Sequence, residues 1–214
     1  MTVRYNISEN DGRRHGQGAL TLWSSGANGG IQRALIHNNT IYMSAPADNS
    51  QPKALHINSE GLNDVGLHNN VLQTTGGLPV VVSLATRGVL LQGNAYWSGE
   101  QSLQIVWGAE NHNSLVAWRA ASGQEQLNAR ATGVEVNPQL QQPGTGGILA
   151  TLSSGRQLTS LTAYQVQPNS GLVGAGLDLL REFNRDPGPH DFFENPTPAV
   201  GEKRTIGACE TPRK

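Results

Sequence analysis

No disulfide can brace this chain, because Cys209 is the only cysteine among its 214 residues, and a multi-cysteine metal site is excluded with it. Stability must come from packing. Charge is scarce as well: Asp, Glu, Lys and Arg make up 14% of the residues, against about 25% in an ordinary soluble domain. The 15 basic and 16 acidic residues leave a net charge of −1, so no global field draws the protein to nucleic acid or to an anionic membrane. No stretch approaches the roughly 18 apolar residues of a membrane helix, and the opening Met-Thr-Val-Arg-Tyr-Asn-Ile-Ser lacks the apolar segment of a secretory signal. A soluble protein made in a cytoplasm is expected, and the Asn-x-Ser/Thr triplets at Asn6 and Asn38 then carry no glycan.

Familiar chemistry is missing too. The six histidines, His15, His37, His56, His68, His112 and His190, never form the His-x-x-x-His or His-Glu-x-x-His spacing that sets two ligands on one helical face. There is no Gly-x-Ser-x-Gly elbow, and the glycine clusters at 144–147 and 171–176 lack the Lys-Ser/Thr of a phosphate loop. No cofactor and no metal are expected. Seven carboxylates lie between residues 19 and 166, namely Asp48, Glu60, Asp64, Glu100, Glu110, Glu125 and Glu135. Glu100 and Glu110 flank one strand candidate and are the pair to test for polysaccharide hydrolysis, which needs two carboxylates.

What is present is amide, hydroxyl and glycine. Residues 19–168 alternate short runs of Val, Ile, Leu and Thr with clusters of Gly, Asn, Ser and Pro, which predicts an all-β domain. An antiparallel β-sandwich of jelly-roll type is the expected architecture, with a small propeller or barrel as the alternative. Asn38-Asn39 offers two residues tolerant of positive φ, which predicts a tight hairpin between Arg33–His37 and Thr40–Ser44. Leu115–Arg119 and Ser102–Trp107 read as strands, and Val80–Val82 as a central one behind Pro79. Ser-Gly turns at Ser98, Ser122 and Ser154 predict three further hairpins, and their spacings of 24 and 32 residues point to shared turn chemistry rather than a true repeat.

The ends differ from the middle. Residues 1–18, with the basic run Arg13-Arg14-His15, read as a polar arm. Over 169–184, the spacing of Leu172, Val173, Leu177, Leu179, Leu180 and Phe183 predicts an amphipathic helix at 172–184 that is weakened by Gly174 and Gly176. Residues 185–214 hold five of the eleven prolines and ten charged residues, a composition that predicts an extended tail.

Phenylalanine is absent from the β region. All three, Phe183, Phe192 and Phe193, lie in the helix and tail. A tail gains nothing from such residues unless they dock, either on neighbouring subunits or back on its own body, where each buries for about 1.5–3 kcal/mol. The leading expectation is a structural, non-enzymatic protein, an oligomeric subunit of the kind found in a virus or phage particle. Copies of itself or other subunits would be its partners. The alternative is a carbohydrate-binding or receptor-binding domain, with a glycan as partner and Tyr96 and Trp97 as the aromatic platform. Trp107 and Trp118 are assigned to the core.

Overall fold

The computed structural model describes residues 1–13, 16–25, 30–145 and 161–211. β1 (Thr2–Arg4), β4 (Gln32–His37), β7 (Asn63–His68) and β10 (Val89–Gln92) form a first sheet in that order, parallel throughout. A second parallel sheet contains β2 (Ile7–Glu9), β5 (Thr40–Met43), β8 (Val71–Thr74) and β11 (Ala95–Trp97), and β16 (Val134–Glu135) extends it. The third holds β3 (Gly18–Leu22), β6 (Lys53–Ile57), β9 (Val81–Ser83) and β12 (Ile105–Trp107), with β13 (Glu110–His112) antiparallel at its edge. Each circuit of the chain lays one strand in each sheet and begins the next circuit on the last. The fold is a three-sided β-solenoid of four coils, about 4.8 Å apart.

This overturns the expected antiparallel sandwich, and the propeller and barrel alternatives with it. The domain is mostly β, but its principal sheets are parallel. The hairpin expected at Asn38-Asn39 does not form: β4 pairs with β1 and β7, whereas β5 pairs with β2 and β8. A two-residue hairpin of the commonest type needs positive φ at both central residues. Here Asn38 has φ 52° and Asn39 is not left-handed, so the chain turns a corner instead of reversing. The Ser98 turn likewise links two different sheets, and Ser122 ends a helix. The third turn, at Ser154, and the strand candidate Gly147–Leu152 lie outside the described residues, as do Arg14 and His15.

The same corner recurs in every coil. Tyr5, Asn38, Asn69 and Gly93 are all left-handed, and each is followed by an asparagine: Asn6, Asn39, Asn70 and Asn94. Those four asparagines stack. Nδ2 of Asn6 donates to Oδ1 of Asn39 at 2.8 Å, Asn39 to Asn70 at 2.8 Å, and Asn70 to Asn94 at 2.9 Å. The backbone N–H of each also donates to the same oxygen. Inward-pointing Ala34, Ile36, Val65, Leu67, Val89 and Leu91 meet Leu55, Ile57, Leu72 and Val81 from the other sheets in one dry core. β9 is the middle strand of its sheet, as the apolar Val80–Val82 run predicts.

The end of the stack beyond the fourth coil is closed. Leu115–Ser122 forms helix α1 rather than the expected strand, capped by the Ser114 hydroxyl on the Ala117 N–H and ended by left-handed Gly123. Its Trp118 is fully buried and meets Tyr96 and Trp107 edge-on at 5.6 and 5.3 Å. A short hairpin follows, β14 (Gln126–Leu127) with β15 (Arg130–Ala131).

The C-terminal residues then run back along the outside of the solenoid. The helix expected over 172–184 is only α2 (Leu179–Phe183), started by Asp178. Before it the chain is in turns, with Gly174 left-handed and the Gly176 N–H given to the Arg204 carbonyl. Tyr164, Leu172, Ile206 and Cys209 pack on Tyr42, Val71 and Ala95 as a second core outside the second sheet. The left-handed asparagines hold this layer. Asn69 exchanges two 2.8 Å bonds with the peptide of Leu177, and Asn38 donates to the carbonyls of Thr205 and Gly207.

Candidate ligand groove

On the outer face of the first sheet, side chains at alternate positions come into line from coil to coil. Leu35, Gly66 and Leu90 share one row, and Arg4, His37, His68 and Gln92 share the next. A groove of about 870 Å³ crosses the four strands there. Arg33 and Asp64 open one side, Arg87 stands beside them, and Phe183 and Arg185 from the C-terminal segment form the opposite wall.

Arg33 and Asp64 are among the described non-glycine residues with a left-handed backbone, and of these they are the two that line the groove. They lie opposite each other in neighbouring coils, between the pairs Gln32↔Asn63 and Ala34↔Val65, and both are left-handed, with φ 51° and 53°. The fourth coil has Gly88 at this bend, at φ 75°, where a Cβ would run into the Leu62 carbonyl oxygen. Glycine is the unstrained choice at such a position, and a side chain costs about 1–2 kcal/mol there. Both side chains point to solvent on exposed residues, and neither enters an ion pair with a described residue. The bend recurs in three successive coils and so serves the turn itself; keeping Arg33 and Asp64 there instead of glycine marks a candidate working surface.

The floor is uncharged. His68 is buried and its ring stacks on Phe183, with centroids 4.5 Å apart and planes 26° apart. Gly66 lacks a Cβ in the space the His68 imidazole occupies. Burial pushes the His68 pKa down to about 4, and His37 beside it is lowered by the same cause. The charged side chains lining the groove are Arg33, Arg87 and Arg185 against Asp64, a net positive set that shares the lining with apolar Leu35 and Leu90. Thr2 and Thr86 add hydroxyls, whereas Gln124 spends its side-chain amide on the Leu91 N–H and the Val89 carbonyl.

The residues singled out by sequence fall in different places. Phe183 reaches this groove. Phe192 and Phe193 contact each other at 5.1 Å and pack on the second core of their own chain. Asp191 holds their loop, accepting from the N–H groups of Phe193, Asn195 and Glu210. Tyr96 has no exposed surface and gives its hydroxyl to Glu125, while Trp97 next to it is half-buried. Glu100 and Glu110 are exposed, in a turn and on β13, and neither lines the groove. Glu110 lies 3.6 Å from His112.

Sequence reasoning missed Arg33, Asp64 and Arg87, which look like ordinary surface charges until the coils are stacked. Among the described residues, no three His, Cys, Asp or Glu side chains are placed to hold a metal ion, and no helix is long and apolar enough to cross a membrane. Comparison of the chain with protein families and with curated proteins gave no match.

Proposed function

We propose that this protein is a binding module whose first-sheet groove takes an elongated acidic polysaccharide. The observation that carries the reading is the strained pair Arg33 and Asp64, open to solvent beside Arg87 and facing Arg185. Guanidinium forks suit carboxylate and sulfate groups. The flanking hydroxyls of Thr2 and Thr86 suit sugar hydroxyls, and Leu35, Leu90 and Phe183 suit the apolar faces of the rings. Four strands at about 4.8 Å give a track of roughly 14 Å, room for an extended chain rather than a single small anion. Three arginines on a chain of net charge −1 are too few for the phosphate density of nucleic acid. Asp64 is the sole carboxylate in the lining, whereas glycoside hydrolysis uses two, which favours binding over turnover.

The test is a titration with a polyuronate, a sulfated glycan and neutral dextran at low and moderate salt. Binding should be confined to the acidic polymers, weaken with salt, and fall about tenfold or more in Arg33→Ala and Arg87→Ala. Equal binding of dextran, or indifference to both substitutions, removes the reading.

A further inference from the structure

The two ends of the solenoid are not alike. One is shut by α1 and Trp118, while at the other the first coil has nothing on its far side among the described residues. β1, β2 and β3 are each the outermost strand of their sheet. Val3, Ala19, Leu20 and Ile31 pack on the main core yet are only partly buried, so the core itself reaches the surface at this end. Such an edge is a template for a further strand.

The asparagine stack says which kind. Within it, every oxygen that receives a neighbour takes two bonds, one from a backbone N–H and one from an amide Nδ2. Asn6 has spent its donors on Asn39 in the second coil and on the Arg4 carbonyl of its own coil. Its Oδ1 accepts from no described residue and faces the open side. A strand added here would continue the ladder by giving this exposed oxygen the donor pair that an asparagine at a coil corner supplies. Face to face, the Asn6 side chain of a second copy brings another acceptor with its donors already spent, and the opposite end of that copy is covered by α1.

We propose that the first coil is a docking surface for a coil of a different β-solenoid polypeptide, running parallel to residues 2–9 and placing an asparagine over Asn6. This protein then serves as the closed terminal unit of a longer stack, because α1 stops growth at one end and the first coil accepts it at the other. The inference is independent of the groove.

The probe is a peptide of residues 32–43, the strand–corner–strand that lies next to the first coil within this chain, together with its Asn39→Ala version. Amide exchange is followed on the full-length protein by mass spectrometry. The first peptide should slow exchange across residues 2–9 about tenfold or more, the Ala version should not, and an Asn6→Ala protein should lose the response. Should Asn6→Ala disturb the fold, Val3→Arg, which sets a charge on the open floor, must abolish the protection instead. The proposal is overturned if millimolar peptide leaves residues 2–9 unchanged or if both peptides protect equally. It is also overturned if the protein alone dimerises through this face.

Discussion

Asn94 closes the asparagine stack on Glu125, with its Nδ2 2.8 Å and its backbone N–H 3.3 Å from Oε1 of that carboxylate. Each asparagine below hands two donors to the next oxygen, so the last partner must accept without needing to donate. An ionised carboxylate does this, and Glu125 also accepts from the Tyr96 hydroxyl at 2.6 Å, the Gly93 N–H at 2.6 Å and Thr132 Oγ1 at 3.1 Å. Complete burial raises its pKa, and these hydrogen bonds pull it back.

Glu125→Gln should therefore be costly although nearly isosteric. It replaces one accepting oxygen with an NH₂ facing existing donors, and a buried group left unsatisfied costs about 1–3 kcal/mol. Urea denaturation should show a loss of at least that size. Unchanged stability would mean that the stack does not need a donor-free terminus.

Asn69 and Asn70 are neighbours with separate duties. Asn70→Ala removes a link inside the stack and should destabilise the whole solenoid by about 2 kcal/mol or more. Asn69→Gly keeps the left-handed corner but frees the Leu177 peptide, so exchange or proteolysis should quicken around 172–177 while coil amides stay protected. Global loosening in both variants would contradict this division.

Arg33→Gly and Asp64→Gly relieve left-handed strain and remove no described ion pair. Relief of about 1–2 kcal/mol is set against the extra unfolded-state freedom of glycine, about 0.4–1 kcal/mol. Thermal unfolding should show stability unchanged or slightly raised. A clear loss in both would mean that these side chains serve the fold instead of a ligand.

His68 sets a pH dependence whose sign follows from its depressed pKa. Between pH 6.5 and about 4 the unfolded chain takes up a proton that the folded chain refuses. Stability from this group is full above pH 6.5 and is lost on acidification, by roughly 3 kcal/mol in all. Glu210, raised by burial to about 7, acts in the opposite sense: its contribution is full below pH 4.5 and fades as pH climbs through 7. The two overlap, so the comparison is between wild type and His68→Gln. Denaturation at pH 7.5, 6.5, 5.5 and 4.5 should show the wild-type advantage shrinking toward acid, and parallel curves would refute the assignment.

Parts of this were legible in the sequence and parts were hidden. His37-Asn38-Asn39 and His68-Asn69-Asn70 are the same word 31 positions apart, and in the structure they lie side by side. The Ser-Gly turns at Ser98 and Ser122 are no such repeat, for they mark different things: one a corner, one a helix end. The coils also change length. Ile7 lies opposite Thr40, Thr40 opposite Val71 and Val71 opposite Ala95, offsets of 33, 31 and 24, because the loops between strands absorb the difference. A strict period was never available. The helix over 172–184 failed at its glycines, where Gly174 took a left-handed turn and Gly176 paired with Arg204.

By itself the sequence determined the material: short β segments from β-branched and aliphatic runs, asparagines and glycines where the chain must bend, stability without disulfides, and apolar aromatics kept for the C-terminal segment. Only the tertiary structure decided how those segments meet. At Asn38-Asn39 the dipeptide permits both a reversal and a corner, for both residues tolerate positive φ. The corner wins because Asn39, not left-handed here, bonds to Asn6 and Asn70 in the coils on either side, contacts that exist only once three circuits are stacked. The same stacking brings Arg33, Asp64 and Arg87 to one groove from positions 31 and 23 residues apart. A choice fixed by partners so distant in the chain cannot be read from local pattern.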